Sequence, residues 1–554
     1  MTPKYIFVSG GVISGVGKGI AAASIAFIMK SYGYRIQMIK LDPYLNVDAG
    51  TMNPLEHGET FVLEDGYETD MDIGHYERFT GELFTEKSSL TSGRVFQRVL
   101  NHERTMEYQG NCVTFDTHLP LAIVDWVKKA QLAKNADITI VEIGATVGEE
   151  GQKLFLEANR IMKIQNPNDV VHVHVSYLPI PKNLGEMKTK PVQLSVKLLN
   201  AVGLHPDFII ARSEVPLDDV RRQKLSFHCY VPEDNVISAP DIENIYQVPL
   251  NFEKDDLGTN ILKKFGLDAE RNGIFKDWEE KYERLSSPLR NVKIGIVGKY
   301  YKSGDFDLKD SYVSVIEAIR HAAWEQQLNP VIEWFVADEF DDGDEEVLER
   351  LKTMDGIVVP QGWGSRGSEG KIKAIQIVRE NKIPYLGLCY GMQMAVIEFA
   401  RNVAGIDDAN SEEVNPDAKN HVIHLMETQK QNLEDNNYGG TIRLGAYPCV
   451  VAEGSRLEEM YKEYSNDLFA QLPVVDERHR HRYEFNNEYR EVLEKSGLVL
   501  SGQSPDGELI EAIELPKDKH PFFIATQYHP ELKSQLLRPH PLFMGFIKEA
   551  AEMI

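Results

Sequence analysis

A lysine behind a run of glycines and a cysteine set between two glycines are the residues of this chain best suited to do chemistry. The run Gly10–Gly19 reads GGVISGVGKG, with Lys18 next to last. Backbone N–H groups of such a loop, opening into a helix N-terminus, collect phosphate oxygens, and the lysine reaches the outer phosphates. The spacing departs from GxxxxGK[ST]: Val12 stands at the first glycine position, and Gly19 follows Lys18 where a hydroxyl would meet magnesium. A metal here must then be held by carboxylates from other loops. Asp72 in ETDMDIGHYERF and Glu142 after ITIV are suitable by residue type. Their plainer readings are a turn cap and a solvated strand end. Lys40, ending the next β-rich run, suits stabilisation of a transferring phosphoryl group, or is a surface charge. Lys188, Lys190 and Lys224 are basic points in an acidic chain. The proline of KTKPVQ predicts an extended loop there, where two lysines meet a second triphosphate or simply a solvated face.

The second centre is GLCYG at residues 387–391, a GxCxG between an apolar strand and a helix. Small residues on either side let a tight turn project Cys389 and leave backbone N–H groups facing an oxyanion. Downstream, QYHPE places His529 and Glu531 two apart, so that an extended segment points both the same way. Cys389, His529 and Glu531 make a nucleophile, base and orienter for acyl transfer. The plainer alternative is a buried inert cysteine and an unrelated histidine.

These residues need a scaffold, and the pattern supplies one twice. Lys4–Gly10 and Arg35–Leu41 are β-rich runs around a helical stretch to Ser31, and 136–143, 169–178 and 208–211 continue the alternation. That predicts an α/β unit with a mostly parallel sheet covered on both faces. Charge density rises over 268–290, where Trp278 is the large anchor of an expected linker. A second alternation starts at Val292, through VKIGIVG, PVIEWFVA, GIVVP and IPYLGLC, and ends in a helix near 541–553.

Composition limits what such a chain does. With 85 acidic against 60 basic residues and a net charge of −25 over 554 residues, its long-range field repels nucleic acid and anionic membrane. The apolar stretch Gly19–Met29 is too short to span a bilayer, and the N-terminus lacks a signal pattern. Four cysteines, none in a CxxC pair, argue against a disulfide framework or zinc site. A soluble cytoplasmic enzyme with no nucleic-acid or membrane partner is the expectation.

GGVISGVGKG, KLDPYLNVDAGTMNPLEHGE, ETDMDIGHYERF, GEMKTKPVQ, GLCYGMQ, RHRHRYEFN and QYHPE together resemble the CTP synthase family, glutamine-dependent amidotransferases, from end to end. The resemblance implies a dethiobiotin-synthetase-like, P-loop-like synthetase domain over 1–267, a linker over 268–291 and a class I glutamine amidotransferase domain over 292–554. It implies that ATP phosphorylates UTP and that ammonia from L-glutamine then gives CTP. By the same resemblance Gly15, Val16, Gly17, Lys18, Gly19 and Ile20 cradle ATP, with Asp241 and Ile242 on the adenine side. Asp72 and Glu142 hold Mg2+, while Lys18 and Lys40 stabilise the phosphoryl group. Ser14, Glu149, Glu150, Lys188, Thr189, Lys190, Pro191, Val192, Gln193 and Lys224 bind UTP or CTP. Gly362, Tyr390, Gly391, Met392, Gln393, Glu413 and Arg480 hold glutamine, and Pro54, His57 and Thr60 match the constriction of an ammonia tunnel. GTP as activator, CTP as product inhibitor, and a homotetramer that stacks into filaments are implied likewise. The chain departs from the family pattern at Gln361 (PQGWG for PGGFG), in TMEYQGNCVTFDTH, and at GATVGEEG, where Gly151 replaces a carboxylate and predicts weaker or differently tuned CTP feedback. Two rivals fit parts of the sequence: an amidotransferase acting on a carboxylate, and a filament protein that has lost turnover.

Overall fold

The computed structural model describes residues 2–285, 289–300, 302–303, 306–307, 309–341, 344–435, 437–466, 468–469 and 472–553. They form two compact units, one of residues 1–49 and 72–283, the other of 50–71 and 284–554.

The first unit is built on seven parallel strands. These are β1 (Lys4–Gly11), β2 (Ile36–Asp42), β3 (Ser89–Thr91), β4 (Ile138–Ile143), β5 (Val170–Tyr177), β6 (Phe208–Ser213) and β7 (Val236–Pro240), in the order β3-β2-β4-β1-β5-β6-β7. Consecutive Ile6, Phe7 and Val8 are all buried, which requires cover on both faces of the sheet. Helix α1 (Lys18–Ser31) follows β1 directly, and α2 (Met71–Thr80) carries Asp72 in its first turn.

The KTKPVQ segment is not an extended loop. Helix α3 (Lys190–Ala201) starts inside it with Pro191 in the first turn, where a missing N–H leaves no helical bond unmade. The expected linker carries a helix of twelve residues as well. In α4 (Ile274–Leu285) Trp278 is buried, its ring 4.3 Å from that of Phe27 and 5.5 Å from that of Phe79, and its indole N–H donates to the Tyr246 carbonyl at 2.8 Å.

The second unit carries a nine-stranded sheet. Its strands are β8 (Arg290–Gly298), β9 (Leu328–Val336), β10 (Gly356–Val359), β11 (Tyr385–Leu388), β12 (Arg443–Val451), β13 (Val474–His481), β14 (Val499–Gln503), β15 (Ile510–Glu514) and β16 (Phe523–Thr526). The order is β9-β8-β10-β11-β16-β15-β14-β12-β13; the first five are parallel and the rest continue antiparallel. Helices α5 (Val313–Glu325), α6 (Ser368–Glu380), α7 (Tyr390–Asn402) and α8 (Pro541–Glu552) belong to this unit.

A short hairpin, Phe61–Val62 with Glu68–Thr69, is held in the second unit by charges from β13. Arg478 Nε donates to Glu64 Oε1 and Arg480 Nε to Glu68 Oε1, each at 2.8 Å. Glu59 Oε2 accepts from the Ser314 backbone N–H at 3.0 Å and from its hydroxyl at 2.6 Å, at the start of α5. Among the described residues no helix is long and apolar enough to cross a membrane.

Candidate active sites

The phosphate loop lies at the carboxyl end of β1, where open parallel sheets take their ligands. Val12 has a φ of 82°, a left-handed conformation that a β-branched residue adopts only under strain, so glycine at this position would relieve it. Gly15 and Gly17 are also left-handed, with Gly17 the N-cap of α1. Ser14 and Gly15 are exposed and Val16 is buried. The Lys18 stem lies back across Gly10, where a β-carbon would come within 2.5 Å of its Cδ.

Gly19 has a positive role here. A β-carbon on it would lie 2.0 Å from Asp72 Oδ1, so the space a hydroxyl-bearing side chain would take is filled by a carboxylate from α2. Asp72 and Glu142 converge: Lys40 Nζ donates to Asp72 Oδ2 and, at 3.2 Å, to Glu142 Oε1, while the Tyr76 hydroxyl donates to Glu142 Oε2. Glu142 is buried, not a solvated strand end, and Lys40 is buried, not a surface charge. Burial and the Asp72 charge push the Glu142 carboxyl up; burial works the same way on Asp72, but Lys40, His75 and Lys18 together outweigh it and hold that group below the usual range. Burial pushes Lys18 down, against the pull of Glu142. Two carboxylates meeting on one cation, the Lys40 ammonium, fit a divalent metal by donor type and by convergence.

Beside the loop, Gly17, Ile20, Ile242, Ala239, Pro240 and Phe252 line a largely apolar cavity together with Arg212. Arg212 Nη2 donates to Asp241 Oδ1 at 2.8 Å, a pairing that sequence reasoning missed. Lys190 and Pro191 line a second cavity with Val12, Thr146 and Ser195. Gln193 donates to Thr189 Oγ1 at 3.1 Å, Val192 is buried, and Lys188 is paired with Glu186 at 2.6 Å. Lys224 is exposed on the helix Asp219–Cys229. Glu149 accepts from the Thr146 N–H at 2.8 Å and Glu150 pairs with Lys153 at 2.6 Å. A β-carbon on Gly151 would sit 3.0 Å from Pro43 Cβ, so this position is set by packing as well as by chemistry.

In the second unit Cys389 forms the turn between β11 and α7 with φ 51° and ψ −99°. Its flanking glycines are steric requirements: a β-carbon would lie 2.8 Å from Ala525 Cβ at Gly387 and 2.0 Å from the Val359 carbonyl at Gly391. His529 Nδ1 is 2.7 Å from Glu531 Oε1. The two do not share an extended segment; Glu531 lies in the 3₁₀ turn Pro530–Lys533, which curls its carboxylate back to the ring. Burial alone would lower His529, but Glu531 and Cys389 raise it to about 10. Its Nε2 is buried with no hydrogen-bond partner among the described residues.

The PQGWG loop beside the elbow is tied down by two buried lysines that sequence reasoning passed over. Lys299 Nζ donates to the Trp363 carbonyl at 2.6 Å and the Gly364 carbonyl at 2.8 Å, and Lys371 Nζ to the Pro360 carbonyl at 2.7 Å. Burial pushes Lys299 down to about 8 and Lys371 further. Lys299 directly follows β8, and that position just past a strand was the available signal. A β-carbon on Gly362 would meet Lys299 Cδ at 2.9 Å. Glu413 accepts from the Gly364 N–H at 2.8 Å and is pushed up by burial. Tyr390 donates to the Gly364 carbonyl at 2.7 Å, and Met392 is buried in the core. A cavity gathers Pro54, Thr60, Gln361, Arg480, His529 and Glu531. His57 faces Asp70 at 3.4 Å.

Residues 4–267 match the family model described as CTP synthase N-terminus, and residues 307–549 match glutamine amidotransferase class-I. The chain is 48% identical over 546 residues to the CTP synthase of Caldanaerobacter subterraneus subsp. tengcongensis, covering 98% of each chain. It is 47% identical over 550 residues to that of Methanocaldococcus jannaschii, again over 98% of each. The chain belongs to the CTP synthase family. It is thus an enzyme of the ligase type, joining a synthetase domain to a class I glutamine amidotransferase domain. Among solved structures, the Trypanosoma brucei glutaminase domain with bound acivicin is 36% identical, with a TM-score of 0.42, over 47% of this chain and 94% of that one.

Proposed function

We propose that this enzyme makes CTP from UTP, ATP and L-glutamine through a 4-phosphorylated UTP. The observation that carries the reading is the pairing, in one chain, of a phosphate loop whose metal carboxylates converge with a cysteine elbow backed by His529 and Glu531. Gly15–Ile20, Asp241 and Ile242 bind ATP, with Arg212 beside the base. Ser14, Glu149, Glu150, Lys188–Gln193 and Lys224 take UTP or the product CTP. Magnesium, held by Asp72 and Glu142, would neutralise phosphate oxygens of ATP. Lys18 and Lys40 stabilise the charge of the transferring phosphoryl group, which turns the uracil O4 into a leaving group.

In the other half-reaction the Cys389 proton passes to His529 Nε2 and the sulfur attacks the side-chain carbonyl of glutamine. The backbone N–H groups of Gly362 and Tyr390 face the oxyanion. His529 returns the proton to the departing nitrogen, and water then releases glutamate from the thioester. Glu413 and Arg480 hold the amino acid's charged end, with Tyr390, Gly391, Met392 and Gln393 framing the rest. Ammonia leaves past Pro54, His57 and Thr60 and displaces phosphate at C4 of UTP, giving CTP. GTP activation, CTP inhibition, a homotetramer and a cytoplasmic location complete the proposal.

The test is CTP formation from UTP and ATP, run in parallel with ammonia and with glutamine. Turnover with both supports the assignment. ADP release with a carboxylate acceptor, and none with UTP, would replace it.

A further inference from the structure

Among the described residues, the Cys389 sulfur has two hydrogen-bonding neighbours outside the triad. The Arg480 carbonyl lies 3.6 Å away and, as an acceptor, favours the thiol. Gln527 Nε2 lies 3.5 Å away and, as a donor, favours the thiolate.

The direction of the Gln527 amide follows from its other end. Gln393 Nε2 donates to the Tyr483 carbonyl at 3.0 Å and to Gln527 Oε1 at 3.3 Å. A backbone carbonyl can only accept, so Gln393 must turn its NH2 to this side. Gln527 then presents its oxygen to Gln393 and its NH2 to the sulfur. The backbone holds the pair in place: Gln527 N–H donates to the Glu511 carbonyl at 2.8 Å, and Cys389 N–H to the Thr526 carbonyl at 2.7 Å. Gln527 itself is 1% exposed.

We propose that Gln527 is the donor that holds the ionised sulfur of Cys389, and that Gln393 fixes the direction of its amide. The inference rests on the reading of Cys389 as nucleophile. When the Sγ proton moves to His529 Nε2, the contact with the Arg480 carbonyl loses its hydrogen, while the Gln527 contact becomes a hydrogen bond to an anion and strengthens. The amide thus biases the sulfur towards the reactive form and keeps it in one rotamer. Among the described residues, His529 with Glu531 and the buried Lys371 are titratable groups that reach the sulfur, and none of them changes in the variants below.

The experiment measures the rate of alkylation of the full-length enzyme by iodoacetamide as a function of pH, in wild type, Gln527→Met, Gln393→Met and Cys389→Ala. Gln527→Met keeps the side-chain volume and removes the donor. Its alkylation at neutral pH should fall about tenfold and converge with wild type at high pH, the scale of one hydrogen bond to a charged group. Glutamine turnover should fall in kcat by a similar factor with KM changed less than about twofold, and ammonia-dependent synthesis, which reports folding, should persist. Gln393→Met should show a smaller loss in the same direction, and it carries the test alone if Gln527→Met does not fold. Identical pH profiles in wild type and Gln527→Met, or a loss undiminished at high pH, would overturn the proposal. Glutamine hydrolysis surviving in Cys389→Ala would instead remove the reading on which it rests.

Discussion

Asp72 occupies the space that any side chain at Gly19 would need, with its Oδ1 only 2.0 Å from where a β-carbon would sit. Restoring the hydroxyl of the usual phosphate loop should therefore harm this one. Gly19→Ser is expected to push Asp72 off its position and to lower ammonia-dependent CTP synthesis by about a hundredfold, the usual effect of misplacing a reacting group by about 1 Å. Reaction of Cys389 with an electrophile should be unchanged. Wild-type synthesis in Gly19→Ser would show that the Asp72 seat has no catalytic importance.

Cys389→Ala removes the proposed nucleophile at the elbow and should abolish glutamine-dependent synthesis, while synthesis with ammonia continues at near wild-type rate. The comparison needs both nitrogen donors in the same preparation. Equal loss with both would mean that the elbow supports the fold of the synthetase half instead of supplying its ammonia.

The pH dependence of glutamine hydrolysis follows from His529. Burial would lower it, but Glu531 and Cys389 prevail and raise it to about 10. A raised value means that the folded state favours the protonated ring. The stability this contributes is complete below the unfolded value of about 6.5 and is lost as pH rises through about 10. The alkaline limit of wild-type hydrolysis, where protonated His529 no longer returns its proton to the departing nitrogen, should accordingly lie near pH 10, and Glu531→Gln should move that limb towards neutrality. A wild-type midpoint near pH 7 would contradict the pairing.

The turn at each centre was legible because it is local: strand, glycine turn and helix are adjacent in sequence, and His529 and Glu531 are two residues apart. What escaped was set by distant partners. Nothing in GYET announces that Glu68 meets Arg480, or that residues 50–71 belong with the second unit. The KTKPVQ segment was misjudged because a proline in the first turn of a helix looks, without its context, like a breaker. Glu142 and Lys40 were open to a solvated reading because burial depends on the neighbouring strands, and the order of strands is not written in any one of them.

The buried cluster around Arg443 gives the sharpest stability test. His479 Nδ1, His481 Nε2 and a Glu511 oxygen lie within 4.8 Å of one another, a grouping that resembles a metal site. Arg443 Nη1 stands among them, 3.4 Å from each histidine nitrogen and 3.1 Å from Glu511 Oε2, so the guanidinium serves as the cation. Burial pushes Glu511 up, and Arg443 opposes this, while burial pushes both histidines far down and keeps them neutral. Arg443→Met would leave Glu511 charged, buried and unpaired, at a cost of about 3 to 5 kcal/mol. Removing both charges in Arg443→Met with Glu511→Met should recover most of that loss, because an apolar pair of similar volume escapes the desolvation that the ion pair only offsets. Urea unfolding of the four proteins gives the coupling directly. If the double variant is no more stable than Arg443→Met, the cost lies in the lost contact of the guanidinium with the Tyr447 ring, 4.5 Å from its centre, not in the stranded carboxylate.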